Sequence, residues 1–161
     1  GGTAIIKDAV ARLRKAIPHI SIRTTLITGY PGETQEEFDE LYEFVKETKF
    51  ERLGCFAYSE EDGTVAATME NQVPEETKHR RFDRLKALVE SQIEENNQKY
   101  IGTTQKVLIE GKSKNNENAY TGRTDSNKVV ILNTDEDLTG KLIDVEIISE
   151  HMWYLKGKVK D

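Results

Sequence analysis

From Thr3 to Ile17 apolar residues return every three or four positions, at Ile6, Ala9, Val10, Leu13 and Ile17, with Thr3 placed to cap and Pro18 to stop. That is the spacing of an amphipathic helix laid over a sheet. The period then falls to two: Ile20, Ile22, Thr24 and Leu26 alternate with Ser21, Arg23, Thr25 and Ile27. This reads as a buried strand whose arginine needs a polar interior to point into. Gly29-Tyr30-Pro31-Gly32 bends the chain, Thr34 and Glu37 have capping-box spacing, and Phe38, Leu41, Tyr42 and Val45 stripe a helix ending near Lys49. Arg52–Tyr58 is a second buried strand, one helix away from the first, as a parallel crossover requires.

From Pro74 to about Tyr100 runs a long charged helix with the stripe Phe82, Leu85, Leu88, Val89 and Ile93. Its cations Lys78, His79, Arg80, Arg81 and Arg84 read first as a solvated or ion-paired face and second as a phosphate contact. Beyond Gly102 period two returns in five short runs, 105–110, 119–123, 129–132, 141–148 and 153–159, divided by Gly, Asn, Asp and Ser. Five strands without helices call for closure into a small barrel, which removes the sheet edges. The expected class is α+β: residues 1–70 the end of a parallel α/β barrel, 71–101 a bridging helix, and 102–161 a five-stranded β-barrel. Two strands cannot close an α/β barrel, which takes about eight, so the first part reads as the end of something larger.

Charge changes this picture only locally. The net charge is −6, and residues 1–73 hold eight basic against thirteen acidic side chains, whereas 101–161 hold nine against ten. A nearly neutral last domain weakens any expectation of strong non-specific nucleic-acid binding, without excluding a basic face. The single cysteine, Cys55, lies in an apolar run and reads as a buried small hydrophobe. An iron–sulfur cluster takes about three or four thiolates, so this chain holds none by itself. With no run of about 18 apolar residues and no apolar start, the chain reads as cytoplasmic. His19, His79 and His151 stand apart, and the barrel half has no Ser/His/Asp arrangement, no metal-ligand spacing and no phosphate-cradling glycine motif.

The runs Arg23-Thr24-Thr25-Leu26-Ile27-Thr28-Gly29-Tyr30-Pro31-Gly32-Glu33-Thr34, Phe56-Ala57-Tyr58-Ser59 and Gly63-Thr64-Val65-Ala66-Ala67 resemble the radical S-adenosylmethionine methylthiotransferases. Those enzymes join a radical barrel to a small C-terminal RNA-binding-type β-domain called TRAM. The resemblance implies an OB-like last domain and, in the complete enzyme, S-adenosylmethionine and two 4Fe-4S clusters, none of them expected on this chain. It implies a cofactor-facing set of Arg23, Thr25, Gly29, Gly32, Glu33 and Tyr58. Glu33 stands one residue late for the family's strand motif, so a first-turn acid favouring the helix N-terminus is an equal reading. Thr121-Gly122-Arg123-Thr124-Asp125-Ser126-Asn127-Lys128 closely resembles the hairpin of tRNA-type TRAM domains. Arg123, Asn127 and Lys128, with Lys112 and Lys114, are the implied substrate or RNA contacts. Trp153 and Tyr154 are available for stacking, although Trp153 reads first as core. Arg23-Thr24-Thr25 and Glu51-Arg52-Leu53-Gly54 resemble the RimO type, which modifies an aspartate of a ribosomal protein. Glu75–Arg84 and the hairpin at Gly122 resemble the MiaB type, which modifies a tRNA adenosine. The expected partners are tRNA first, the ribosomal protein second, the missing cluster domain and barrel half, and a second copy through the open barrel edge. The alternatives are a stand-alone RNA- or ribosome-binding module without catalysis, and an engineered chimera of the two branches.

Overall fold

The computed structural model describes residues 2–114 and 116–160. Its contacts divide the chain into two units, residues up to Pro18 with Ile22–Gln92, and His19–Ser21 with Ile93 onward.

In the first unit the order is α1 (Thr3–Ala16), β1 (Arg23–Thr28), α2 (Gln35–Thr48), β2 (Arg52–Ala57), a short 3-10 turn at Ala66–Thr68, and the first part of α3 (Glu75–Gln98). β1 and β2 are parallel, with Arg23 beside Arg52, Thr25 beside Gly54 and Ile27 beside Phe56. The capping box at α2 forms as its spacing requires: Thr34 Oγ1 accepts from the Glu37 N–H at 3.1 Å, and Glu37 accepts from the Thr34 N–H at 2.9 Å. α2 buries Phe38, Phe44 and Val45, and Leu85 and Val89 of α3 are buried too. Gln92 of α3 donates to the Val45 and Lys46 carbonyls, both at 3.2 Å.

Two expectations fail here. Of the α1 stripe only Val10 is buried; Ile6, Leu13 and Ile17 are 44–53% exposed. Two strands at about 4.8 Å spacing are too narrow to cover a four-turn helical stripe. Nor is the sheet covered on both faces, since Arg23 and Thr25 are exposed and Ile27 and Phe56 are 55% and 58% exposed. Only one face of β1 and β2 is packed, so Arg23 does not enter a polar interior.

The second unit is a closed barrel in the order β3-β4-β5-β7-β6, from β3 (Thr104–Ser113), β4 (Asn116–Thr124), β5 (Val129–Asn133), β6 (Leu142–His151) and β7 (Tyr154–Val159). Every neighbour is antiparallel except the parallel pair β5 and β7. Alternate residues turn inward, giving a core of Val107, Ile109, Tyr120, Val130, Leu132, Val145, Ile147 and Leu155. A barrel of five strands has little room inside, and two inward positions are glycine for that reason. A Cβ on Gly157 would stand 2.2 Å from Val145 Cγ1, and one on Gly122 would stand 2.6 Å from the Leu108 carbonyl oxygen.

Candidate functional site

Two places gather the residues singled out in the sequence. The first is the turn between β1 and α2. Gly29 has φ +80°, and a Cβ on it would meet Lys78 Cγ at 2.6 Å, so conformation and space both demand glycine. One oxygen of Glu33 accepts three hydrogen bonds, from Thr28 Oγ1 at 3.1 Å, from the Gly29 N–H at 2.9 Å and from Arg81 Nη1 at 2.7 Å. Arg81, 6% exposed, also donates to the Glu33 carbonyl at 3.0 Å and lies over the Phe38 ring. Beside them Lys78, 3% exposed, pairs with Glu75 and stands 5.2 Å over Tyr58. That hydrogen bond from Lys78 holds the Glu75 carboxyl below the usual carboxylate range.

Gly29, Gly32, Glu33 and Tyr58 therefore collect at the C-terminal end of the strand pair, where Tyr30 and Tyr58 meet edge to face at 5.5 Å. Arg23 does not join them. It begins β1, and at about 3.3 Å per residue the six positions to Gly29 put it roughly 20 Å away. Thr25 lies between, on the open face. Sequence reasoning missed Lys78 and Arg81 as parts of this corner. They are ion-paired, as one reading had it, but buried. Cys55 is half-buried and not the buried small hydrophobe that the sequence suggested; its partial burial raises the thiol pKa, with Glu90 adding to it.

Fit to the implied cofactors differs between them. The Tyr58 hydroxyl is buried with no hydrogen-bond partner among the described residues, which suits a polar ligand such as S-adenosylmethionine. An iron–sulfur cluster does not fit: the chain has one cysteine, and the described residues hold no metal-ligating group of three.

The second place is one end of the barrel. Strand directions put the β4–β5 turn, the β6–β7 turn and the start of β3 at one end, and the β3–β4 turn at the other. The five implied RNA contacts are thereby divided. Lys112 and Lys114 belong to the β3–β4 end and are exposed. Arg123, Asn127 and Lys128 belong to the opposite one. Arg123 donates from Nη1 to Asn127 Oδ1 at 2.9 Å and pairs with Glu110 at 3.1 Å on the outer surface. Asn127 reaches this position with φ +61°, which asparagine tolerates better than most residues.

Lys128 points elsewhere. It is 8% exposed, and its Nζ donates to Asn97 Oδ1 at 2.8 Å and stands over the Tyr100 ring. Asn97, 2% exposed, in turn donates to the carbonyls of His151 at 3.3 Å and Met152 at 3.2 Å. Asn97 thus ties the two turns together, and no sequence signal had singled it out. Trp153 corrects an expectation: it is 68% exposed at the tip of the β6–β7 hairpin and takes no part in the core. The inward positions next to it are taken by Leu155 and Ile147.

Comparison with known proteins accords with this architecture. Residues 98–160 match the TRAM domain model. A tRNA-2-methylthio-N(6)-dimethylallyladenosine synthase from Clostridium botulinum is 42% identical over 151 residues, 94% of this chain and 34% of that protein. A ribosomal protein uS12 methylthiotransferase RimO from Alkaliphilus oremlandii is 52% identical over 85 residues, 53% of this chain and 19% of that protein. Another RimO, from Opitutus terrae, is 55% identical over 83 residues, 52% of this chain and 18% of that protein. The chain spans about a third of the length of the tRNA-modifying relative and about a fifth of RimO. Residues 98–160 are a TRAM domain, and over the stretch it covers the chain is similar to the MiaB/RimO-type methylthiotransferases.

Proposed function

We propose that this chain serves a methylthiotransferase that acts on tRNA, and that its barrel holds the RNA by phosphate contacts from Arg123. The observation that carries the reading is the hairpin end at Arg123: a guanidinium at the surface, oriented by Asn127 and ion-paired with the exposed Glu110. A surface ion pair is worth roughly 0–1 kcal/mol, so exchange of Glu110 for a phosphate is cheap. Lys128 supports the hairpin from below through Asn97, and Lys112 and Lys114 serve a separate stretch of backbone. A ribosomal-protein substrate is the second reading, favoured by the higher identity to RimO over half the chain. The alignment of the tRNA-modifying relative along 94% of the chain supports tRNA.

In this proposal residues 1–70 form part of the barrel, 71–101 the bridge, and 102–161 the RNA-holding domain. S-adenosylmethionine, when bound to the complete enzyme, supplies the radical chemistry. Thr25, Gly29, Gly32 and Tyr58 would face it. Glu33, its one oxygen engaged three times over, shapes the turn. No step is assigned to an iron–sulfur cluster on this chain.

The test is titration of labelled tRNA and of protein uS12 at two salt concentrations. tRNA affinity is expected to fall with salt by a slope of roughly 0.7–0.9 per phosphate neutralised, and Arg123→Ala to remove about one unit of that slope. tRNA binding indifferent to both salt and the substitution would overturn the assignment.

A further inference from the structure

Trp153 is left unexplained by phosphate contacts. Among the described residues it is the most exposed aromatic, at 68%, whereas the barrel has a complete core without it. Its position is built. Met152 and Trp153 are the two turn residues between His151 and Tyr154, whose register pairing closes the hairpin and whose rings stack at 4.6 Å and 14°. From behind, buried Asn97 donates to the carbonyls of His151 and Met152, and Lys128 fixes Asn97 in turn. Neither turn residue has positive φ, so this is not the primed turn that the twist of a two-residue hairpin favours. The turn is held by side-chain hydrogen bonds to its backbone, and it carries a large indole exposed to water.

The surroundings point to what covers it. β7 lies two strands from β4, across β5, and Val130 pairs with both Gly122 and Leu155. With about 4.8 Å between strands, the backbone at Trp153 is roughly 10 Å from that at Arg123, under two nucleotide steps. A cation that takes a phosphate near an exposed aromatic that takes a ring face is the pairing by which proteins hold unpaired nucleic acid.

We infer that Trp153 is a stacking platform for an unpaired nucleobase of the RNA held at Arg123. The inference rests on the RNA reading above but concerns a different part of the ligand, the base and not the phosphate. Trp153 is the one tryptophan in the chain, so its emission reports this site alone. The experiment titrates the full 161-residue chain with a short single-stranded RNA and with an abasic sugar–phosphate strand of equal length, following tryptophan emission and, separately, binding.

The expected result is quenching by the RNA and none by the abasic strand. Trp153→Ala should weaken RNA binding roughly five- to a hundred-fold, the range for loss of one base–aromatic stack, with an unchanged salt slope. Trp153→Phe should restore most of the affinity. Equal quenching by both strands overturns the inference, as does RNA affinity that Trp153→Ala leaves intact. If Trp153→Ala instead weakens binding to protein uS12 and leaves RNA unaffected, the platform belongs to a protein partner and the inference fails. Absence of any salt-dependent RNA binding in the unsubstituted chain would fail the underlying RNA reading itself, a distinguishable outcome.

Discussion

At the scale of single residues, the hydrophobic pattern locates the inward positions of the barrel but says nothing of how much room each has. Gly122 and Gly157 fall inside strand runs of the sequence with nothing to mark their surroundings, and both are core positions where neighbouring atoms leave no space for a methyl group. Gly157→Ala is expected to destabilise the barrel by about 1–3 kcal/mol, because Val145 and the β6 backbone must shift to admit the added carbon. A thermal melt followed by circular dichroism checks this, and an unchanged melting temperature would contradict the packing described. Trp153 is the opposite case. It sits directly before a strand and its size suggests burial, but the pairing of His151 with Tyr154 places it in the turn itself.

At the scale of elements, periodicity made α2, its cap and all five barrel strands legible, since each has a clean period and a Gly, Asn or Asp boundary. The N-terminal half of α3 was less so. Lys78 and Arg81 continue the same helical face as Leu85, Val89 and Gln92, at steps of three and four, and that spacing was the available signal of their burial. It was masked by the charge of the segment, which reads as solvated until a partner is known. The partner, Glu33, is 48 residues away in sequence. Removing one member of a buried pair leaves an uncompensated charge, so Arg81→Met should cost about 3–5 kcal/mol. Pairing it with Glu33→Gln should recover part of that loss. Chemical denaturation of the four proteins of this cycle measures the coupling; strictly additive losses would mean that the contact carries no stability.

At the scale of the whole molecule, the two sheets meet the problem of strand edges differently. The barrel pairs every strand on both sides. The β1–β2 pair has two outer edges and a face on which Ile27 and Phe56 lie side by side and more than half exposed. Exposed apolar surface beside unpaired strands favours self-association. Sedimentation should therefore show mass rising with protein concentration, and Phe56→Lys should shift the equilibrium toward monomer. A monomer at all concentrations would show that this face is tolerated in water. The parallel rhythm of helix and strand revealed this unit's class, whereas which of its faces lies open depends on what packs over it.

The buried ammonium groups described above change how the protein's amines can be read chemically. Lys78 gives its Nζ to Glu75 and Lys128 gives its own to Asn97, each less than a tenth exposed. A reagent that acylates accessible amines will mark Lys112 and Lys114 in the folded chain and pass over these two. A lysine footprint of an RNA complex would then report on the β3–β4 end of the barrel and stay silent at Lys128, whether RNA lies above it or not; there, the guanidinium of Arg123 is the group to label.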